Sequence, residues 1–546
     1  MFTACAPSQP TPTTPSTRLA AAESAFADLR ALRDRYDVTT ASGLAATADG
    51  EPLAALARRH DALRSAVAPR LASVDSVRLA DDDARALGVM RRALSGDLTP
   101  LESATTEGPS ADLRPDCRYD ASAIAGSSGN LDVLRKRIYD CYGWTQRHIM
   151  VGDDTLDRLS VLGQITREAE AKTRQTLFLA LAPVWGSMNA DNRTDSPYRT
   201  LIGLEVRRRK GQAPMAVGQA RASGLPPDSL EPWLYRLLET WHDATRDSLL
   251  EPWDWLYAAG EASRALSPGI SAARMEELNA EVYRALGADV SALGVHFDLA
   301  PRDGKTPVAY TTFGARARLR DGRWTHAEPW IFATCREGGL DNLIELLHET
   351  GHAIHIAAIR TRPAFADWPD SDPLSEAIGD FIALDFAEPA WQQHWLGDSV
   401  PLADGLRARY AGIVLDVAWA MFETQMLRDP TLDPNEVWAR ITSTYLHIRP
   451  HPELSWWAMR GQLIDAPGYM MNYAVGAILI AAIRARTVEQ HAPFVTGDAT
   501  WYAWVAPRLF RYGLERPSRD VIEAFLGGPV TPAAILQDMR RMRQSD

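Results

Sequence analysis

Residues Asp341 to Asp380 read DNLIELLHETGHAIHIAAIRTRPAFADWPDSDPLSEAIGD. Leu340, Leu343, Ile344, Leu347, Ile354 and Ala358 recur with a 3.6-residue period, which predicts a helix with an apolar face. Within it, His348-Glu349-Thr350-Gly351-His352 forms an HExxH pattern. Residues four apart share a helix face, so both imidazoles can address one metal ion. Glu349 adjoins the first His, where it can take a proton from an attacking water but does not easily reach the metal. Two satisfied histidines on a buried helix would give the same five letters.

The third ligand separates these readings. Catalytic zinc takes three protein ligands and keeps a fourth position open. A metzincin would need Gly at 355 and His at 358; this chain has His355 and Ala358. Glu376, in Ser375-Glu376-Ala377-Ile378-Gly379-Asp380, lies 24 residues after His352 and fits as a carboxylate ligand on a following helix. Asp380, one turn further on the same face, can accept the free N–H of a ligand His. One Zn2+ per chain is therefore expected on His348, His352 and Glu376, with Asp380 behind them.

With LHETGH and SEAIGD at this spacing, the segment resembles the angiotensin-converting enzyme (peptidyl-dipeptidase A) family. In these gluzincins a HHEMGH-type helix precedes a HEAIGD-type helix across the same gap. Cys335, 13 residues before His348, matches a family Cys, and Gly513-Leu514-Glu515-Arg516-Pro517 with FLGGPVTPAAILQDM looks like its last segment. The resemblance covers about 308 to 540 and is thin before that. It implies a zinc peptidase of short peptides, of peptidyl-dipeptidase or oligopeptidase type, acting as a monomer. The implied fold is mainly α, one large helical domain (18–546) with a deep central cleft and a small antiparallel sheet beside the zinc helix. Residues 308–480 would form the catalytic core segment, and the helices of 18–96 would roof the cleft.

An oxyanion donor must complete such a site. Ala466-Pro467-Gly468-Tyr469-Met470-Met471-Asn472-Tyr473 opens a long apolar helical pattern. The resemblance makes Tyr473 the oxyanion donor and Tyr469 its reserve; two core tyrosines at helical spacing are the alternative. The chain departs from the family nearby. A family His ten residues before the Tyr is Leu463 here, or Ile464 in the thimet-oligopeptidase register. A substrate-binding His is Phe313, and a chloride-binding Arg is Asn472. His447, His451 and His326 are the available substitutes.

Strand signals lie at 308–334, where Val308–Leu319 and Trp330–Thr334 flank Arg320-Asp321-Gly322-Arg323, a hairpin signal. In zinc peptidases of the resembled kind an edge strand here aligns the substrate backbone, which assigns that role to Gly314, Ala315, Arg316 and Ala317. Three helical patterns are expected over 18–96, loops over 97–130, and helix again from Asn130 to about Ala190. The tryptophans of 231–265 read as helix packing, with carbohydrate or peptide binding as the alternative. Thr531-Pro532 reads as an N-cap and first position of a last helix.

The chain has 546 residues, is 46% hydrophobic and carries a net charge of −12 without a basic block. That supports a sizeable core and argues against nucleic acid and anionic membrane surfaces as partners. Cys117 and Cys141 could pair in an oxidising compartment or stay as free thiols; Cys335 has no evident partner. No stretch approaches about 18 apolar residues, so no membrane-spanning helix is expected. Met1-Phe2-Thr3-Ala4-Cys5, followed by APSQPTPTTPST, looks like the end of a bacterial lipoprotein signal and a disordered tether over 1–17. The expectation is an exported, periplasmic or cell-surface protein, anchored only if Cys5 carries lipid. Two rivals stand beside the peptidase: a zinc hydrolase of another amide, and a helical periplasmic binding protein with a decayed site.

Overall fold

The computed structural model describes residues 15–101, 114–126, 130–245, 248–302, 305, 308–335 and 338–543. The chain is mainly helical, with a few small sheets. Cys5 and most of the expected tether lie outside the described residues. The first helix, Pro15–Ala41, begins inside that tether. Proline is compatible with a helix start because its missing N–H would be unpaired there anyway.

The three N-terminal helices form as read, at Pro15–Ala41, Leu53–Ala72 and Asp81–Ser95. They enclose a small apolar cluster of their own, into which Ala364 and Phe365 insert. Ion pairs join this unit to the segments around the HExxH helix. Arg362 binds Glu23 (2.6 Å), Asp83 (2.8 Å) and Asp82 (3.1 Å), and Arg316 binds Asp34 (2.9 Å) and Asp367 (3.0 Å). Burying four charges is tolerable there because Arg30, Arg316, Asp34 and Asp367 sit together and share hydrogen bonds.

The sheet differs from the expected antiparallel pair. Its order is His296–Asp298, Glu328–Phe332, Tyr310–Ala315, and the first two run parallel. Three residues with polar ends give no alternation by which the parallel strand could be read. The Asp-Gly hairpin is present: Arg320 pairs with Arg323 across Asp321 (φ +50°) and Gly322 (φ +73°). Positive φ at both central residues is what a two-residue turn between right-twisted strands requires. A second hairpin, Ile149–Val151 with Asp154–Leu156, interrupts the expected helix of 130–190; its turn is Gly152-Asp153, with Gly152 at φ +63°.

Most tryptophans of 231–265 pack in the core: Trp241, Trp253 and Trp255 are all buried. The last long helix is Ala533–Arg540, one residue later than read, and Thr531 does not cap it. Cys117 and Cys141 are disulfide-bonded, and Cys335 is a buried free thiol. Among the described residues one helix, Met470–Gln490, is long and apolar enough to cross a membrane, contrary to the reading of the sequence, but 56% of its apolar window is buried inside the fold. It packs along Asp372–Ala383, where Gly476 faces Pro373 and Glu376.

Candidate metal centre

Two helices build the centre. Leu340–Ala358 starts after Gly338 (φ +73°) and Gly339 (φ +89°), which break the preceding chain, and Ser267 Oγ accepts its first N–H at 3.0 Å. Asp372–Ala383 starts with Ser371 as N-cap and Pro373 in its first turn. The two helices meet at a pair of glycines. A Cβ on Gly351 would lie 2.5 Å from Gly379 O, and one on Gly379 would lie 2.8 Å from His348 Cε1 and 2.8 Å from His352 Nε2. Only hydrogen at both positions lets Glu376 come down beside the imidazoles.

The three expected ligands are brought together. His348 Nε2 lies 3.1 Å from His352 Nε2 and 3.6 Å from Glu376 Oε2, and one donor atom from each residue falls within 4.8 Å of the others. This His/His/Glu group could hold a metal ion. Two imidazole nitrogens and a carboxylate suit zinc in kind. Asp380 Oδ1 stands 2.7 Å from His348 Nδ1, which leaves Nε2 as the nitrogen facing the group. His348 and Glu376 keep 22% and 40% of their side-chain surface, so the group is open to solvent on one side.

Charge follows from these contacts. Burial alone would lower the His348 pKa, but the Asp380 carboxylate, by charge and hydrogen bond, raises it to about 9. Burial pushes His352 far down, aided by the charge on His348. Burial also raises the carboxyls of Glu349 and Glu376 above the usual range. His352 Nδ1 has no hydrogen-bond partner among the described residues. His355, one turn on, lies buried between the rings of Trp368 and Phe510, and burial lowers it to about 3, so it remains a neutral packing group.

Thr311 was not singled out from the sequence. Its Oγ1 lies 2.7 Å from Glu349 Oε2 and 2.9 Å from the Glu349 main-chain oxygen. It joins strand Tyr310–Ala315 to the HExxH helix. Its place on a strand was legible, but not the partner it would face.

Strand Tyr310–Ala315 ends at Ala315, so the expected substrate strand Gly314–Ala317 is only half strand. Gly314 sits at a register shift under Trp330, whose indole would be 2.4 Å from an added Cβ. Arg316 belongs to the buried ion-pair group, and Ala317 packs with Phe313 and Ile356.

Tyr469 and Tyr473 stand at the start of helix Met470–Gln490, rings 5.6 Å apart and edge to face. Burial raises both hydroxyl pKa values, Tyr469 to about 12, and the Glu376 charge adds to each. Gln462 Nε2 donates to Tyr473 Oη at 3.3 Å, and the Arg460 guanidinium lies 5.9 Å from the Tyr473 ring. Neither was singled out from the sequence, because a break at Ala466–Gly468 removes them from the helical register of Tyr473.

Leu463 and Ile464 are fully buried apolar residues and supply no donor. The three substitute histidines are placed elsewhere. His447 bonds the His242 carbonyl (3.0 Å), His451 bonds Glu251 (2.8 Å) and Glu453 (2.5 Å), and His326 is exposed.

No protein-family model matches this chain, and no curated protein matches it. Among solved structures 140 chains match. One of them, described as "The Structure of CHT", aligns with a TM-score of 0.53 at 13% identity, over 97% of this chain and 100% of that one. At that identity the likeness is one of fold alone: the helical architecture is shared along nearly the whole of both chains.

Proposed function

We propose that this protein is a zinc-dependent peptidase of short peptides, of peptidyl-dipeptidase or oligopeptidase type, and a divergent relative of the angiotensin-converting enzyme family. The observation that carries the reading is the convergence of His348, His352 and Glu376, with Asp380 holding His348 and Glu349 beside them. Zinc, when bound there, supplies a Lewis acid that polarises the scissile carbonyl and makes water a stronger acid.

The side chains supply the rest. Glu349 Oε2, fixed by Thr311, takes the proton of the attacking water and returns it to the leaving amine. Tyr473 Oη accepts from Gln462, so its own proton is free for the oxyanion of the tetrahedral intermediate. Tyr469 stands beside it as the second hydroxyl.

The reading includes a cleft above the trio, roofed by the N-terminal helices, which admits an extended peptide. The Cys117–Cys141 disulfide supports export to an oxidising compartment. Purified protein should cleave a quenched library of short peptides, and Glu349→Gln should keep its zinc while losing at least about 10²-fold of turnover. A Glu349→Gln variant as active as wild type, or zinc-loaded wild type without peptide turnover, contradicts the proposal.

A further inference from the structure

A cavity of about 550 Å³ opens beside Tyr469 and Asn472, at the start of the helix that carries Tyr473. Its wall is built by arginines from two separate helices. Arg135 comes from Asn130–Thr145, Arg208 ends Pro197–Arg208, and Arg209 follows it. All three converge on one carboxylate. Glu205, fully buried, accepts from Arg208 Nε at 2.9 Å, Arg209 Nε at 2.5 Å and Arg135 Nη2 at 3.3 Å.

Further bonds lock the cluster to the short helix Gln462–Asp465 and the loop between it and Tyr469: Arg135 Nε donates to Ile464 O and Arg209 Nη2 to Pro467 O, each at 3.1 Å. Arg208 Nη1 and Arg209 Nη1 make no hydrogen bond among the described residues. Two other acids lie near. Asp132 bonds Arg135 at 3.1 Å with 88% of its side chain in water, and Asp465 is an exposed residue of the wall. Water and salt screen both, whereas Glu205 is consumed in holding the arginines in place.

Such a set of fixed guanidiniums suits a planar anion. The wall is shared with the proposed peptide site through Tyr469, which is edge to face with Tyr473.

We propose that this cavity is the specificity site for a carboxylate of the peptide substrate, bound by Arg208 and Arg209 while Glu205 and Arg135 keep them in position. The proposal rests on the peptidase reading. Two sources share the chemistry, the free C-terminus and an acidic side chain, and substrates separate them. One quenched peptide is compared as free acid, as C-terminal amide, and as amide with one residue changed to Glu at each position in turn.

A hydrogen-bonded charge is worth about 1.5–3 kcal/mol, or roughly 10–150-fold in kcat/KM. Wild type should prefer the free acid over the amide by that factor if the terminus is bound, or one Glu-containing amide over its parent if a side chain is. Arg208→Gln, at a position more than half exposed (54%), should fold normally and bring the preferred ratio toward one, as should Arg209→Gln. Melting curves check both variants.

Zinc-loaded Glu349→Gln supplies an arm independent of turnover. Calorimetry of the same peptides on it should show the same preference, lost with Arg208→Gln. Absent turnover with a preserved, Arg208-dependent binding preference would sink the peptidase reading and leave the carboxylate site standing. No acid or Glu preference in either assay, or a preference that survives both arginine variants, would overturn the inference.

Discussion

Gly379→Ala tests how the two helices make the centre. The added Cβ would stand 2.8 Å from both His348 Cε1 and His352 Nε2, and 2.9 Å from His348 Nε2. Ordinary carbon contacts begin near 3.4 Å. The Glu376 helix or the two imidazoles must therefore shift by about 0.6 Å, whereas metal–ligand distances tolerate only about 0.2 Å. Retreat is resisted from behind, since Gly476 brings helix Met470–Gln490 against Pro373 and Glu376. Overpacking of this kind costs about 1–3 kcal/mol of stability. Loss of ligand geometry should lower zinc affinity by at least about 10–100-fold, the range seen when groups around a metal are disturbed. Gly412→Ala is the control: it is exposed on helix Leu402–Arg428 with nothing within 4 Å of its Cβ, and should gain about 0.5–1 kcal/mol. Competition against a chromogenic chelator gives the affinities and urea melts give the stabilities. A Gly379→Ala protein that binds zinc as tightly as wild type would refute this account of the helix contact.

Glu423, buried behind Gly468 with Oε2 unpartnered, has its pKa raised by burial to about 8. A folded pKa above the unfolded one means stability is full below about pH 4.5 and falls as pH rises toward 8. Glu423→Gln should flatten that loss, so the gap in melting temperature should widen in its favour from pH 6 to 9; parallel curves would reject the assignment. Arg316→Ala strips two buried carboxylates, Asp34 and Asp367, of their shared partner and should cost about 3–5 kcal/mol in a urea melt. A change under about 1 kcal/mol would show that the ion-pair group does not hold the N-terminal helices. The proposed roof over the site predicts cleavage of short peptides and none of casein, and rapid casein digestion would show an open site.

The candidate metal group was the most legible part of the chain, because its signal is local. HExxH places His348 and His352 on one face within a single helix, and Ser375 to Asp380 repeats that one-turn logic for Glu376 and Asp380. Gly351 and Gly379 stood inside the quoted motifs, yet their purpose is visible only where the helices cross. Thr311, Gln462 and Arg460 reach the site across chain breaks, where periodicity carries no register. Arg316 was assigned to a substrate-aligning strand through the resemblance, and neither that nor alternation can tell an edge that faces substrate from one that meets Asp34. The parallel strand His296–Asp298 and the Gly152-Asp153 hairpin are three-residue strands, too short for a period of two to register. The tether reading misplaced Pro15 because proline both marks linkers and starts helices.

Metal stoichiometry tests the central claim most directly. Protein dialysed against a zinc buffer and analysed by elemental mass spectrometry should hold one zinc per chain, and the double variant His348→Ala, His352→Ala should hold none while still melting cooperatively. Wild type without zinc, or a folded double variant that keeps it, would contradict the account.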